Sequence, residues 1–238
     1  MAFGMFETAN EGFQLPHPVL SLRSLLVVEQ ALCAAWTLMR EKRRGNFDLT
    51  AATEDEVTHE LYERLYDEVF DRGIIDGFDR EIFASVHREP KIRNYNGVHL
   101  DKMPDLLIDF VDRPAGAMNS QHGLFIECKP VDATHTAGAH YCDKGIVRFV
   151  CGDYAWAMRN GMMIAYTRKG YTVSSKFTGA LAERAALKAK AAPCECPNSK
   201  AGATSEPVYI TEHRRTFSYA DGSRPSTIVI RHLWLKRD

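Results

Sequence analysis

Met103-Pro104-Asp105-Leu106-Leu107-Ile108-Asp109 and Leu124-Phe125-Ile126-Glu127-Cys128-Lys129 are the two stretches that decide the fold of this chain. Each reads as a buried strand carrying one carboxylate, and the second places a lysine two residues beyond its acid. Residues two apart in a strand share a face. Glu127 and Lys129 therefore project together, and Cys128 projects to the opposite side. Asp105 precedes Glu127 by 22 residues, enough for one hairpin connection. With the two strands paired, two carboxylates and an ammonium converge at one edge of a sheet.

Those residue types suit phosphodiester hydrolysis. Mg²⁺ prefers oxygen ligands and is commonly held by one or two carboxylates together with substrate phosphate oxygens. A cation so placed polarises the phosphate and lowers the pKa of the attacking water. A lysine beside it positions that water or stabilises charge in the transition state.

Acid-x-Lys alone is a weak motif, since roughly one match is expected by chance. The chain holds two, Glu127-Cys128-Lys129 and Glu89-Pro90-Lys91. The second has proline at its centre and no apolar run before it, which argues against a strand interior. The first ends an apolar run and follows a Pro-Asp strand. Pro104-Asp105 followed by Glu127-Cys128-Lys129 resembles the PD-(D/E)xK nuclease superfamily, whose members include restriction endonucleases and repair nucleases. The resemblance covers about residues 50 to 170, in the core order helix, strands, helix, strand. It implies a restriction-endonuclease-like α/β fold, Mg²⁺ or Mn²⁺ as cofactor, and an acid on the helix before the first strand.

Thr53-Glu54-Asp55-Glu56-Val57-Thr58-His59-Glu60-Leu61 offers three candidates for that acid. Thr53 and Glu56 have the spacing of a capping box, which accounts for Glu56. Val57, Leu61 and Leu65 form the buried stripe, and Glu54 extends it toward the helix start. Glu54 is favoured and Glu60 is next, against the alternative that all three are first-turn acids serving the helix dipole.

The 238 residues include 45% hydrophobic ones, and no uninterrupted apolar run reaches the length of a membrane span. Met1 to Gln14 lacks the basic start and apolar core of a secretory signal, so a cytoplasmic location is expected. Six cysteines in this length predict reduced thiols rather than a disulfide scaffold. Cys194-Glu195-Cys196 offers two thiolates for zinc, but no second close pair supplies the remaining ligands. Charge is lopsided: residues 1–140 hold 14 Lys/Arg and 23 Asp/Glu, while residues 141–238 hold 16 and 8. A nucleic-acid partner would dock on the basic second half, against the alternative of an ordinary solvated surface.

Along the chain, helices are expected over Val19–Arg44, Thr53–Arg72, Glu81–Val86, Tyr141–Asn160 and Ser174–Lys190. Strands are expected over Ile92–Leu100, the Pro-Asp segment, Gly123–Val131, Gly161–Tyr166, Val208–Arg214 and Thr227–Leu235. Tyr141, Lys144 and Arg148 fall at i, i+3 and i+7, one helix face with a phenol and two cations suited to substrate phosphates. The expected organisation is one nuclease-like domain over 1–238. It comprises an N-terminal helical extension (1–48), the core (50–170), a flexible loop (191–206) and C-terminal strands forming a β-hairpin (207–238). Asp105, Glu127 and Glu54 would hold metal and Lys129 would act on the reacting centre. DNA is the expected substrate, with RNA as the alternative and no membrane partner. The chain would act as a homo-oligomer or with a partner subunit, as the effector of a restriction or anti-phage system. The competing readings are an inactive nucleic-acid-binding or assembly subunit of the same fold, and an ordinary Glu127–Lys129 ion pair in an unrelated α/β protein.

Overall fold

The computed structural model describes residues 15–42, 44–199, 205 and 207–238. Met1 to Gln14, Arg43 at the expected end of the first helix, and most of the tip of the 191–206 loop lie outside the described residues.

The chain builds an α/β structure around a seven-stranded mixed sheet. The strands are β1 (Phe83–Arg88), β2 (Leu106–Phe110), β3 (Leu124–Val131), β4 (Asn160–Thr167), β5 (Cys194–Glu195), β6 (Tyr209–His213) and β7 (Ile228–Lys236). Their order is β1-β2-β3-β4-β7-β6-β5. The β1–β2, β2–β3, β7–β6 and β6–β5 pairs are antiparallel, and β3–β4 and β4–β7 are parallel. β4 is buried along its whole length, as a central strand covered on both faces must be.

One face of the sheet carries α1 (Leu22–Glu41) and α2 (Glu54–Glu63), the latter running on as a π-helical turn over Arg64–Phe70. Ser21 caps α1 by accepting the Ser24 N–H at 3.0 Å. Thr53 and Glu56 form the expected capping box at the start of α2. Length and apolar content alone would let α1 cross a membrane. Here it is a core helix: Trp36 stacks on Tyr166 of β4 and donates to the Lys236 carbonyl, and buried Glu29 pairs with Arg231 of β7. The other face carries the π-helical segment Ala137–Ile146 leading into α3 (Val147–Val150), and a second π-helical turn, Val173–Phe177, leading into α4 (Thr178–Ala182).

Four expected elements differ from the observed ones. Glu81–Val86 is not a helix but the approach to β1, an edge strand. An irregularity between Phe83 and Ser85 turns Phe83 and Val86, three residues apart, both inward, which imitates helical spacing. Ile92–Leu100 is not a strand: Ile92 makes one isolated bridge to Lys102, and Val98 and Leu100 are 71% and 68% exposed. Turn chemistry prevails there, with Gly97 at φ +71° after Asn94-Tyr95-Asn96. The Tyr141–Asn160 helix begins earlier, at Ala137, and stops at Val150. Gly152 then takes φ +83°, where a Cβ would strike Phe217 and Tyr95. Ser174–Lys190 is broken into short helical pieces that end at Lys188, held at φ +52°. The 191–206 stretch also contains β5, paired with β6.

A buried polar chain stitches the helical layer to β6 and β7. Trp234 Nε1 donates to the Tyr141 hydroxyl at 3.2 Å, which lies 2.9 Å from His232 Nδ1. His232 Nε2 is 2.7 Å from Thr211 Oγ1, Thr211 Oγ1 is 2.8 Å from His213 Nε2, and His213 Nδ1 is 2.8 Å from the Leu187 carbonyl. Burial pushes both imidazoles toward the neutral form.

Candidate active site

The site opens where β2 stops pairing. Pro104 has no N–H to give a ladder, and the β2–β3 register begins at Leu106↔Ile126. The two backbone groups of Cys128 are therefore free of a strand partner on that side. Side chains take them instead: the Cys128 N–H donates to Asp105 Oδ2 at 2.6 Å, and the Cys128 carbonyl accepts from Lys129 Nζ at 2.8 Å. Cys128 itself is buried among the α1 and α2 layer, and Glu127 and Lys129 face the other side.

Lys129 Nζ is the centre of the cluster. It lies 2.6 Å from Glu54 Oε1, 3.0 Å from Glu127 Oε1 and 3.7 Å from Asp105 Oδ2. The four sequence-derived residues are thus brought together. Glu54 arrives from the first turn of α2. Its rivals are occupied elsewhere, Glu60 by buried Arg64 at 2.7 Å and Glu56 by the Thr53 cap. Arg148 closes the cluster, with Nε 3.5 Å from Glu127 Oε1 and its guanidinium over the Tyr154 ring. Gly145 lets the π-helical segment lie close to the sheet here, since a Cβ would collide with the end of Met163 and meet the Lys129 stem.

Burial and charge set the protonation states. Glu127 is almost wholly enclosed, and burial, then the charge of Asp105, push its carboxyl up to about 8. Burial also raises Asp105, against the opposing pull of Lys129 and the Cys128 N–H. Lys129 is raised as well: burial opposes its charge, but Glu127, Asp105 and Glu54 together hold it firmly protonated. Glu127 Oε2 is buried and has no hydrogen-bond partner among the described residues. A buried carboxylate oxygen without a partner is costly and calls for an explanation.

A divalent cation is one. Glu127 Oε1, Asp105 Oδ2 and the Cys128 carbonyl oxygen all lie within 3.7 Å of one nitrogen, and Glu127 Oε2 is unsatisfied beside them. Among the described residues no group of three or more His, Cys, Asp or Glu side chains stands ready to cage a metal. Two carboxylates and a carbonyl suit an ion that keeps waters and takes substrate oxygens, as Mg²⁺ does, rather than zinc.

Two other expectations need separate comment. Tyr141 does not join Lys144 and Arg148 on an open face: it is fully buried, with its hydroxyl between Trp234 and His232. The earlier helix start and π-helical winding rotate it inward. His140 was missed and takes the outward place, beside Lys144 and near Glu54, with its ring packed edge-on to His135 at 5.0 Å. No spacing rule for an α-helix would have singled it out. The Cys194/Cys196 pair does not form a thiolate site: Cys194 is exposed, and Cys196 is buried against the Arg231 guanidinium at 3.1 Å.

Comparison with family models, with curated proteins and with solved structures finds no match to this chain.

Proposed function

We propose that this protein is a Mg²⁺- or Mn²⁺-dependent nuclease that hydrolyses phosphodiester bonds in DNA, built on a PD-(D/E)xK-type core. The observation that carries the reading is the unpartnered, buried Glu127 Oε2 in a cluster where Asp105, Glu127 and Glu54 all surround Lys129. The element order supports it: α2, then β1, β2 and β3, then the Ala137–Val150 helix, then β4 parallel to β3.

Asp105 and Glu127 would hold the divalent ion, with the Cys128 carbonyl beside them. When bound, that ion supplies Lewis-acid activation of water and charge neutralisation at the phosphate. The remaining work falls to the chain's own groups. Lys129 is held protonated by three carboxylates, so it is an orienting cation and not the base that takes the water's proton. Glu54 fixes the ammonium at 2.6 Å and is a positioning residue. Arg148, fixed by Tyr154 and Glu127, presents a guanidinium to the phosphate neighbouring the cleaved one. Burial and the charge of Asp105 favour the protonated form of Glu127, so a metal would compete with a proton there and its loading favours rising pH.

The test is incubation of the purified protein with supercoiled plasmid in Mg²⁺, Mn²⁺ or chelator. Nicking or linearisation that needs metal and disappears in Glu127→Ala is the expected result. No cleavage by the folded wild-type protein with either metal, or unchanged cleavage by both Glu127→Ala and Asp105→Asn, overturns the reading.

A further inference from the structure

Away from the carboxylate cluster, the second half of the chain forms two clefts that meet at one arginine. The first, about 570 Å³, is lined by α4 and the segment after it and carries Arg184, Lys188, Lys190 and Arg214. The second, about 350 Å³, carries Arg214, Arg215 and Arg224 together with the hydroxyls of Thr216, Ser218 and Thr227. Among the described residues no carboxylate lines either cleft.

The cations are held by design of the backbone. Segment 188–190 runs beside the end of β6: the Arg214 N–H donates to the Lys188 carbonyl at 3.0 Å and the Lys190 N–H to the Glu212 carbonyl at 2.8 Å. One isolated bridge, Ala189 to His213, and these backbone bonds thereby fix Lys188 and Arg214 as neighbours. Arg184 and Lys190 are balanced by Asp143 and Glu212, and Arg215 is committed to the Ala155 and Met158 carbonyls. Among the described residues Lys188, Arg214 and Arg224 make no ion pair, and all three are exposed. Lys188 also sits in the left-handed region at φ +52°, where a lysine is strained and glycine is not. Backbone bonds to Ala185 and Arg214 hold Lys188 in that conformation and leave its side chain directed by no ion pair among the described residues.

We propose that this double cleft is an accessory trough for the phosphate backbone of a nucleic-acid strand, with Lys188, Arg214 and Arg224 as its phosphate contacts. Guanidinium forks match phosphate oxygens two at a time, and the cleft hydroxyls add neutral donors of the kind that position a backbone. Two joined clefts fit an extended polyanion better than one compact anion. The trough also abuts the active-site helix. Asp143, which pairs with Arg184, is followed by exposed Lys144, and Arg148 on the same helix reaches Glu127. A strand leaving the cleavage site thus meets Lys144 and then the trough. The inference rests on the nucleic-acid part of the reading above but not on cleavage.

The experiment measures binding of a labelled DNA duplex and its matching single strand to Asp105→Asn protein, without metal, across a salt series. Each of Lys188→Gly, Arg214→Ala and Arg224→Ala should weaken binding several-fold and lower the salt slope by about one unit for duplex. Lys188→Gly separates binding from structure, because relief of the positive φ should hold or raise thermal stability while affinity falls. Wild-type affinity and slope in all three variants on a parent that binds DNA overturn the trough alone. Equal competition by pyrophosphate or poly-glutamate at matched charge overturns it in favour of an unspecific anion site. No binding by the folded parent overturns the trough and the nucleic-acid reading together.

Discussion

Two buried carboxylates on opposite faces of the same sheet show how differently a fold can treat a charge. Glu29 of α1 meets Arg231 of β7 with both groups almost fully enclosed. Its account is complete: Oε1 takes the Arg231 Nε–H and Oε2 takes the Ser199 hydroxyl at 2.9 Å, while Arg231 also reaches Cys196. Glu127 of β3 is as deeply buried, yet it shares one ammonium with two other acids and leaves Oε2 unsatisfied. The first arrangement joins helix, sheet and loop. The second crowds three acids around one ammonium, and burial and the charge of Asp105 push Glu127 toward its protonated form. The contrast separates a satisfied structural ion pair from the cluster on which the proposed metal site rests.

The largest effect that would sharpen this contrast is on catalysis. Glu127→Ala and Asp105→Asn should each reduce metal-dependent plasmid cleavage by at least about 100-fold, since even outer partners of metal ligands are worth 10–100-fold. Lys129→Ala should cost turnover comparably but leave metal affinity equal or higher, because the ammonium competing for the same oxygens is gone. Calorimetric titration with Mn²⁺ reads the second half of that statement. A variant that loses metal and activity in parallel would make Lys129 a structural prop for the acids.

Stability should invert the pattern. Glu29→Ala strands a buried guanidinium and should lower unfolding free energy by about 3–5 kcal/mol. Glu127→Gln keeps the volume and mimics the neutral carboxyl that burial and Asp105 favour, so its metal-free stability should hold or rise. Urea midpoints of the two variants decide it. If Glu127→Gln is the more damaging, the cluster is a folding element and the comparison collapses.

Acid should act on the histidines before it acts on the paired carboxylates. Burial, then the charge of His122, lower His17 to about 4, and burial also lowers His122, His213 and His232. Below the unfolded value near 6.5 the unfolded chain takes protons that the fold refuses, so stability falls with pH between about 6.5 and 4. Each refused proton costs about 1.4 kcal/mol per pH unit in that window. Thermal midpoints that stay flat from pH 7 to 5 would contradict it. The smallest effect is at the rim: Lys144→Ala should lower the salt slope of DNA binding by about one unit with turnover at saturation unchanged.

Much of this was legible in the chain, and the losses have physical causes. Asp105, Glu127 and Lys129 were readable because strand alternation fixes which residues share a face. Glu54 was readable because the Thr53–Glu56 cap fixed where α2 begins. β1 was misread because its bulge gave Phe83 and Val86 a helical interval, and Ile92–Leu100 because alternating residues without a covering layer look like a strand. Tyr141 and His140 exchanged places through π-helical winding, which no α-helical spacing rule anticipates. The proposed trough shows in the sequence only as surplus charge in residues 141–238, since a single long-range bridge, Ala189 to His213, brings Lys188 beside Arg214.

The polar chain from Trp234 to Leu187 runs in one direction only. The indole can only give a hydrogen and the terminal carbonyl can only receive one. With both imidazoles neutral, His213 must carry its hydrogen on Nδ1, Thr211 must give to His213 and receive from His232, and His232 must carry its hydrogen on Nε2. Two histidines in one sheet are therefore locked as opposite tautomers, distinguishable by the nitrogen chemical shifts of their rings. Exchanging Thr211 for valine would cut the chain in two and free the His232 ring to choose, while the Leu187 carbonyl still keeps the His213 hydrogen on Nδ1. The carbonyl at one end thus sets the polarity of the layer, and the hydroxyl of one threonine carries it from ring to ring.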